Sequence, residues 1–241
     1  MSRFLQVNLI AELGPCLLIN KPGGLLTQGP PGIDSLEFRI KSFLKERDLK
    51  PGKVYLGVPH RLDRPASGIM VFAKHVRAAR RLAEQFQNRQ IEKKYWAVID
   101  GYIESDSGTW IDWMRKIPDE ARSEICEPDD EGAQKAILHF RVLERRENKT
   151  WLEIKLETGR THQIRLQTSS RGCPIVGDLM YGSEGTFGPE TFDQRQRWIA
   201  LHSRLIGFEH PMTQESHSIE APVWEYWQDL GFEFPSGYDQ V

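Results

Sequence analysis

Short apolar runs that end at glycine and proline make up the first fifty residues of the chain. The run at 16–20, CLLIN, predicts a strand, and the sequence KPGG at 21–24 predicts the turn that ends it. From 35 to 47, apolar side chains recur at the three- and four-residue spacing of a helix with one buried face. We expect Asp34 to cap the N-terminus of this helix.

An aspartate lies in a polar loop between the next two predicted strands. Residues 54–58 and 69–73 are short apolar runs, and each predicts a strand. The segment HRLDRPASG at 60–68 separates them and places Asp63 close to a proline and a glycine. Loops held by a rigid sheet are common carriers of chemistry. On local sequence alone, however, an aspartate flanked by two arginines is more typical of a structural ion pair than of a catalytic group.

Helical and strand periods continue through the middle of the chain. Residues 76–88 have the spacing of an amphipathic helix, and residues 95–99 predict a strand. Alternating apolar residues at 136–143 and 151–156 predict a hairpin or two neighbouring strands. In the helix, the side chains expected to face inward are Val76, Ala79, Leu82 or Ala83, and Phe86, and those expected to face outward are Arg77, Arg81 and Gln85.

The remaining segments add a loop, a short helix and a last strand. The acidic segment 119–132 contains a proline and a glycine and predicts a mobile surface loop. A short helix capped by Thr158 or Thr161 is expected to carry His162 and Arg165 on one face, because these two residues are three positions apart. Residues 198–202 predict a last strand. The local pattern supplies only alternating strands and helices, which does not determine a topology.

The composition predicts one globular domain. At 241 residues, with 39% hydrophobic and 27% charged residues, the chain is long enough to bury a substantial core. We expect one domain over 1–241, with a motif-bearing core at about 15–212 and an acidic segment at 213–241. No apolar run is long enough to span a bilayer, and the first residues lack a secretory signal, so we expect a cytoplasmic protein. The three cysteines form no CxxC pair, which argues against a zinc ribbon.

Charge is segregated along the chain, although the formal net charge is only −2. Residues 60–100 hold nine Lys or Arg against four acids, and residues 160–171 hold three arginines and no acid. Residues 119–131 hold seven acids and one arginine, and the chain after Arg204 holds seven acids and no basic residue. The basic segments predict a surface for a polyanion, although a solvated helix face is the simpler explanation of one such segment alone.

Several short motifs follow one another in a specific order. They are INKPGG at 19–24, HRLD at 60–63 with SG at 67–68, KYWA at 94–97 with Gly101, TGRTHQIR at 158–165, PIVGD at 174–178 with YG at 181–182, and ALHS at 200–203 with HP at 210–211. Their order resembles that of the RluA-type RNA pseudouridine synthases. Ordered motifs over this length are far more specific than any one of them.

The resemblance implies a fold and a set of catalytic residues. The implied fold is of the α+β class, with a central mixed or largely antiparallel sheet and with flanking helices and loops that form a catalytic cleft. Asp63 would act on the ribose of the target uridine as nucleophile or as base, two roles between which the sequence does not choose. Arg165 would keep the carboxylate of Asp63 ionised and oriented. Tyr95 would stack on the target base, and its phenol could handle the C5 proton of that base. We expect no metal ion and no other cofactor.

The implied substrate is a uridine of structured RNA, either rRNA or tRNA. The uridine must be flipped out of its stack to be reached. His60 and Arg61 resemble the residues that fill the vacated stack or hold the flipped nucleotide. We expect the protein to act as a monomer. The other residues expected to contact RNA are Arg64, Arg77, Arg81, Lys93, Arg160, His162 and Arg171.

The chain departs from the family pattern at two places. Ala66 stands before Ser67 where relatives commonly have threonine, which removes one hydroxyl from the loop of Asp63. We also expect no S4-like RNA-binding domain before the catalytic domain, because the Lys-Pro motif starts near residue 20.

Two other functions remain open from the sequence. The fold could bind RNA with Asp63 unused, which would make the chain a binding module. Asp63 could also serve a glycoside or nucleoside hydrolase, although no paired carboxylate motif supports that reaction.

Overall fold

The strands of the protein join into one sheet with three short helices. The computed structural model describes residues 7–235, so residues 1–6 and 236–241, where the predicted acidic segment ends, lie outside the described part. The strands are β1 (Leu9–Leu13), β2 (Cys16–Lys21), β3 (Ser67–Ala73), β4 (Glu92–Asp100), β5 (Ser107–Lys116), β6 (Ser123–Ile125), β7 (Gln134–Arg146), β8 (Lys149–Leu156), β9 (Leu201–Glu209) and β10 (Ser216–Glu220). The helices are α1 (Leu36–Arg47), α2 (Val76–Gln87) and α3 (Gln163–Ser169).

The order of the strands in the sheet brings distant parts of the chain together. The sheet runs β1-β2-β3-β9-β4-β8-β7-β5-β6, and β10 adds to β9. The named strands pair antiparallel except for β3 and β9, where Ser67 and Gly68 pair in parallel with His202 and Ser203. The predicted α+β class with a mixed, largely antiparallel sheet is therefore confirmed.

Strands β2 and β3 are buried on both faces, which explains their continuous apolar sequences. All six residues of β2 and all seven of β3 are buried. Helix α1 covers one face, where Ile40 and Phe72 belong to the same core cluster. Helix α2 covers the other face, where Leu82 and Val71 belong to a second cluster. None of the helices in residues 7–235 has the length and the apolar character needed to cross a membrane.

The N-cap of α1 is Ser35, so the prediction of Asp34 was wrong by one residue. The Ser35 hydroxyl accepts the Phe38 N–H at 3.3 Å, as a helix cap does. The Asp34 carboxylate instead forms an ion pair with Arg39 at 2.6 Å. Both side chains are capping types, and the extended backbone of Ser35 decides between them.

Helix α2 forms where predicted, but two of its side chains face opposite to expectation. Val76 is 65% exposed, whereas Gln85 is buried. The Gln85 amide donates to the Glu209 carbonyl at 2.8 Å and accepts the Glu209 N–H at 3.0 Å. These hydrogen bonds to the Glu209 backbone satisfy the Gln85 amide inside the protein, although the helical pattern predicts that this position faces solvent.

Three predicted segments have a different structure. Residues 54–58 form no strand, and only Gly57 pairs with Ala73. This segment lies close against α2, because a Cβ at Gly57 would be 2.3 Å from the Ala79 side chain of that helix. The acidic segment 119–132, predicted as a loop, contains β6, which pairs with β5. The last strand predicted at 198–202 begins at residue 201 and continues to residue 209. The predicted hairpin is confirmed as β7 and β8.

The described part of the acidic segment packs into the hydrophobic core of the protein. Strand β10 extends the sheet at β9, and Trp227 is fully buried. The Trp227 ring packs on Phe234 with centroids 5.1 Å apart, and Phe234 packs on Trp151 of β8 at 4.6 Å. The division into a core and an acidic segment stays a prediction.

Replacement of Gly68 by alanine tests the junction between β3 and β9. Gly68 has φ +119, and a Cβ there would lie 2.3 Å from the Ser203 backbone nitrogen. We expect Gly68→Ala to lower the free energy of unfolding by about 2–5 kcal/mol, because backbone strain and overpacking add. Urea unfolding measures this change. Gly52→Ala is the control, since a Cβ there meets nothing within 4 Å, and equal stability of the two variants would contradict the prediction.

Candidate active site

A cleft of about 1910 Å³ lies where the distant motifs meet. Its lining comes from the loop 59–66, from β4, from the turn 157–162 with the start of α3, and from residues 177–180. Asp63 is in the first of these segments, and its side chain is 20% exposed. The carboxylate is therefore accessible from the cleft while its surroundings are largely buried.

An arginine links Asp63 to a second, buried carboxylate. Arg165 Nη1 lies 3.4 Å from Asp63 Oδ2. On its other side, Arg165 donates from Nε and Nη2 to the two oxygens of Asp178 at 2.6 and 2.9 Å. The Asp178 side chain is only 2% exposed and that of Arg165 only 4%. The fork of hydrogen bonds to Asp178 fixes the guanidinium and leaves Nη1 directed at Asp63.

His162 is the second side chain that faces Asp63. Its Nε2 lies 3.7 Å from Asp63 Oδ2, and its Nδ1 lies 3.0 Å from the Tyr181 hydroxyl. The Tyr181 oxygen accepts the Ser123 N–H at 2.9 Å, which holds the phenol in place. Burial lowers the pKa of His162, an effect that Asp63 opposes, so a neutral imidazole is favoured.

The short helix that carries Arg165 starts in a different way from the prediction. Neither Thr158 nor Thr161 caps α3; His162 is at the N-cap position, with the left-handed φ of 56 and no side-chain cap. The side-chain Oε1 of Gln163 accepts hydrogen bonds from the Arg160 backbone N–H at 3.0 Å and from the Thr158 hydroxyl at 2.8 Å. These two hydrogen bonds fix the turn and bring His162 next to Asp63.

A buried lysine that we had not predicted as functional holds the loop of Asp63. Lys21, at the end of β2, is fully buried. Its Nζ donates to the backbone carbonyls of Asp63, Arg64 and Ala66 at 3.2, 3.1 and 2.7 Å. Burial lowers the pKa of Lys21 to about 7, while the Asp63 carboxylate acts in the opposite direction. The only sequence signal was its place in the INKPGG motif.

Tyr95 lies in the wall of the same cleft, on β4. It is 8% exposed. Burial raises the pKa of the Tyr95 phenol, and the nearby Asp63 carboxylate raises it further. The side chain is therefore a neutral aromatic ring with a hydroxyl that keeps its proton at neutral pH.

Comparisons with known proteins agree with this geometry. The family model described as RNA pseudouridylate synthase matches residues 15–170. The chain belongs to the RNA pseudouridylate synthase family. It is 35% identical over 228 residues to an uncharacterised RNA pseudouridine synthase of Bacillus subtilis, with 94% of this chain and 72% of that protein covered. It is 33% identical over 228 residues to the ribosomal large subunit pseudouridine synthase D of Xylella fastidiosa, with coverage of 92% and 67%.

A solved structure shows the same fold. Human RNA pseudouridylate synthase domain containing 4 superimposes with a TM-score of 0.76 at 22% identity, and the match covers 95% of each chain. The predicted family and enzyme class are thus confirmed. The chain is an RNA pseudouridine synthase, which isomerises uridine in RNA.

The structure brings most of the predicted site residues of the synthase to one place. Asp63, Tyr95 and Arg165 line the cleft, as do His60, Arg61, Arg64, Lys93, Arg160 and His162. His60 is also held by the fold, because its Nε2 accepts the Val71 N–H at 3.0 Å and its ring stacks on Phe86 at 4.4 Å.

Three predicted arginines are not among the residues that line this cleft. Arg77 is exposed on α2. Arg81 donates to the Pro211 carbonyl, and Arg171 pairs with Asp112 at 3.0 Å. Contact of these three with RNA stays a prediction, and it would require the RNA to extend beyond the cleft.

The synthase cleft also contains cations that the sequence analysis missed. In total it holds ten Lys or Arg and four acids, in a chain whose net charge is −2. Within residues 7–235, nine of the ten form no ion pair with a carboxylate; the exception is Arg165. The missed cations are Arg89, Lys116, Lys155, Arg195 and Arg197. Most lie outside the two basic segments, so only their position in the fold groups them.

Replacement of Asp178 by asparagine tests whether it positions Arg165. The isosteric amide cannot accept both hydrogen bonds and carries no charge. We expect Asp178→Asn to lower stability by about 3 kcal/mol or more, because a buried guanidinium loses its partner, and to lower kcat about 10-fold to 100-fold. Urea unfolding and turnover of uridine-labelled RNA measure the two effects.

A half-exposed ion pair provides the matched control. Arg115 and Glu124 are 2.7 Å apart with side chains 35% and 41% exposed, so Glu124→Gln should change stability by less than about 1 kcal/mol. Wild-type turnover by the folded Asp178→Asn variant would show that Asp178 does not position Arg165.

Proposed function

We propose that this synthase converts uridines of large-subunit ribosomal RNA to pseudouridine, with Asp63 acting on the ribose of a flipped-out uridine. The observation that carries the proposal is the Asp63 carboxylate, which is accessible from the cleft and 3.4 Å from the guanidinium of Arg165. The choice of RNA is supported by relatives from several bacteria that are named ribosomal large subunit pseudouridine synthase D.

The reaction rearranges one nucleotide without a net change in its atoms. The C1′–N1 bond breaks, the base turns, a C1′–C5 bond forms, and the proton leaves C5 while N1 gains one. A carboxylate can begin this sequence by attack on C1′ or by removal of the C2′ proton. Asp63 suits both roles, because its carboxylate is accessible from the cleft and the Arg165 guanidinium beside it orients one of its oxygen atoms.

Arg165 positions Asp63 in this proposal. Two of its nitrogen atoms are committed to Asp178, so the third has one orientation. A carboxylate at a reacting carbon needs placement within a fraction of an ångström for efficient reaction. Lys21 also fixes the position of Asp63, because its Nζ donates a hydrogen bond to the Asp63 backbone carbonyl.

Tyr95 has the properties needed at the base. Its ring is rigid because β4 is paired on both sides, with β8 and with β9. A flat aromatic face can support the uracil while the base is free to turn. The raised pKa keeps the phenol protonated, so that we assign the hydroxyl a hydrogen-bonding role at neutral pH.

The unpaired cations of the cleft suit the RNA backbone. Arg61 is exposed beside Asp63 and has the planar guanidinium that could occupy a vacated base stack. Arg64, Lys93 and Arg160 line the cleft near it and would hold phosphates without reading the sequence. Action as a cytoplasmic monomer without metal or other cofactor is part of the proposal and is inferred from the sequence alone.

Removal of the Asp63 charge tests the catalytic role. We expect Asp63→Asn to lower tritium release from RNA containing [5-³H]uridine by at least about a thousandfold, because the variant has no ionised oxygen at the sugar. RNA binding and the unfolding curve should stay close to wild type. Asp129→Asn, on the exposed acidic segment, is the control that should release tritium normally.

Two results would argue against this mechanism. Turnover retained by Asp63→Asn would remove Asp63 from the chemistry. Free uracil among the products of the wild-type enzyme would indicate a hydrolase in place of an isomerase.

The proposed substrate predicts a change in cells that lack the gene. Pseudouridine mapping of total RNA should show the loss of one or more pseudouridines from large-subunit rRNA, and none from tRNA. A gene copy encoding the wild-type enzyme should restore the lost sites, whereas a copy encoding Asp63→Asn should not. Loss confined to tRNA would show that the proposed RNA class is wrong.

A further inference from the structure

We propose that the rim loop, defined as residues 189–197, binds an unpaired nucleotide next to the target uridine: Phe192 stacks on its base, and Arg195 and Arg197 hold its phosphates. This inference rests on the proposed function, because it concerns the RNA of the same cleft. It adds a stacking site separate from the one at the reacting base, and it predicts that the target lies in a single-stranded part of the RNA.

The ring of Phe192 is the most exposed large apolar side chain of the described residues. Its relative exposure is 109%, so it has no packing role in residues 7–235. The other strongly exposed aromatic rings, Phe38 and Tyr102, each retain only 54% exposure. An aromatic ring without packing contacts leaves its faces open to a ligand, and the bases of single-stranded RNA are ligands that stack on such a ring.

The loop that carries Phe192 has a fixed base. Phe187 and Trp198 form a bridge across its ends, and a Cβ at Gly24 would lie 2.4 Å from the Gln196 carbonyl oxygen. Inside the loop, Asp193 Oδ1 accepts the Arg195 N–H at 2.9 Å. These contacts hold the backbone that presents the ring.

The same loop is joined directly to the segment of Asp63. The Ile199 N–H, two residues after the loop, donates to the Pro65 carbonyl at 3.2 Å. Trp198 fills the space beside Gly23, where a Cβ would lie 2.4 Å from the indole ring. The position of the rim loop is therefore coupled to that of the loop 59–66, which carries Asp63.

The two arginines of the loop identify the kind of ligand. Arg195 and Arg197 both line the cleft, and within residues 7–235 neither guanidinium pairs with a carboxylate. Asp193, an acid of the same loop, accepts the Arg195 backbone N–H and the Gln196 side-chain amide N–H instead. An exposed aromatic ring and unpaired cations on one loop are the combination that binds single-stranded nucleic acid, in which every base offers a face for stacking. An apolar protein partner would not use the two charges.

Two partly exposed apolar side chains also line the cleft. Leu179 and Met180 line it and are 41% and 47% exposed. They follow Asp178, the partner of Arg165. Unstacked bases have apolar faces that such side chains can cover, whereas the backbone of a closed duplex presents only phosphate and sugar. This lining also favours single-stranded RNA on this side of the cleft.

The test compares Phe192→Ala with wild type on an unmodified large-subunit rRNA transcript. Loss of one stacked base should raise KM for tritium release by about 5-fold to 150-fold, with the effect on KM and not on kcat. Phe192→Trp should retain the wild-type KM, whereas Phe192→Leu should behave like alanine. Phe38→Ala, an exposed phenylalanine on α1 outside the cleft, is the matched control and should change nothing.

Salt dependence tests the arginines separately. For RNA binding, the double variant Arg195→Ala/Arg197→Ala should reduce the slope of log affinity against log salt by about 1.4, because each single-strand phosphate contact contributes about 0.7. Lys45→Ala, an exposed cation on α1, should leave the slope unchanged. An unchanged slope in the double variant would overturn the phosphate role.

Binding by inactive enzyme separates this inference from the proposed function. Affinity for the transcript is measured with Asp63→Asn and with Asp63→Asn/Phe192→Ala, which requires no turnover. Equal affinities would overturn the rim-loop proposal even if the wild-type enzyme isomerises rRNA. Weaker binding by the double variant would support it even if the modified RNA proves to be of another class. Full rescue by Phe192→Leu would indicate an apolar docking contact and would also overturn base stacking.

Discussion

The buried ion pair between Arg165 and Asp178 is the constraint on which the active site depends. A guanidinium at 4% side-chain exposure is unstable without a carboxylate partner, and Asp178 supplies two hydrogen bonds to it. The bidentate geometry leaves one nitrogen atom free, and this atom faces Asp63 at 3.4 Å. Because the charge of Arg165 is already balanced by Asp178, Asp63 is attracted and oriented without being fully neutralised. It keeps 20% of its side chain exposed, and it is thus the acid of this network that can meet a substrate.

The sheet explains how residues from distant motifs meet around this pair. The parallel junction of β3 with β9 is possible because Gly68 has no side chain where it approaches Ser203. It places the loop of Asp63 beside β9, and β9 in turn pairs with β4, which carries Tyr95. Lys21 reaches under the same loop from the end of β2 and binds its carbonyl groups, so the loop has contacts on several sides. A loop that would be mobile alone becomes part of the rigid framework.

Local patterns in the sequence predicted most elements, and the ordered motifs predicted the catalytic group. Helices α1 and α2, the hairpin of β7 and β8, and the contact between Asp63 and Arg165 were all expected. The errors arose where a contact between residues distant in sequence overrides the local pattern. Gln85 is buried because its amide hydrogen-bonds to the backbone of Glu209. Residues 54–58 do not form the predicted strand because they lie against α2. Lys21 could not be recognised because its partners are backbone carbonyls, which have no sequence signature. Arg195 and Arg197 were missed because the chain around them is not strongly basic.

The pairing of charges separates the binding surface from the rest of the protein better than net charge does. Elsewhere, arginines such as Arg47, Arg115 and Arg145 have carboxylate partners, whereas nine cations in the cleft have none among the described residues. Unpaired cations at close range repel one another, and this repulsion destabilises the free protein. A polyanion bound in the cleft reduces the repulsion between these cations. The binding free energy therefore includes both the new contacts and the reduced repulsion. The acidic residues at other sites lower the overall charge to −2 and oppose nonspecific adhesion of RNA outside the cleft. RNA therefore binds selectively in the cleft for two reasons: cations are present there, and most of them have no carboxylate partner.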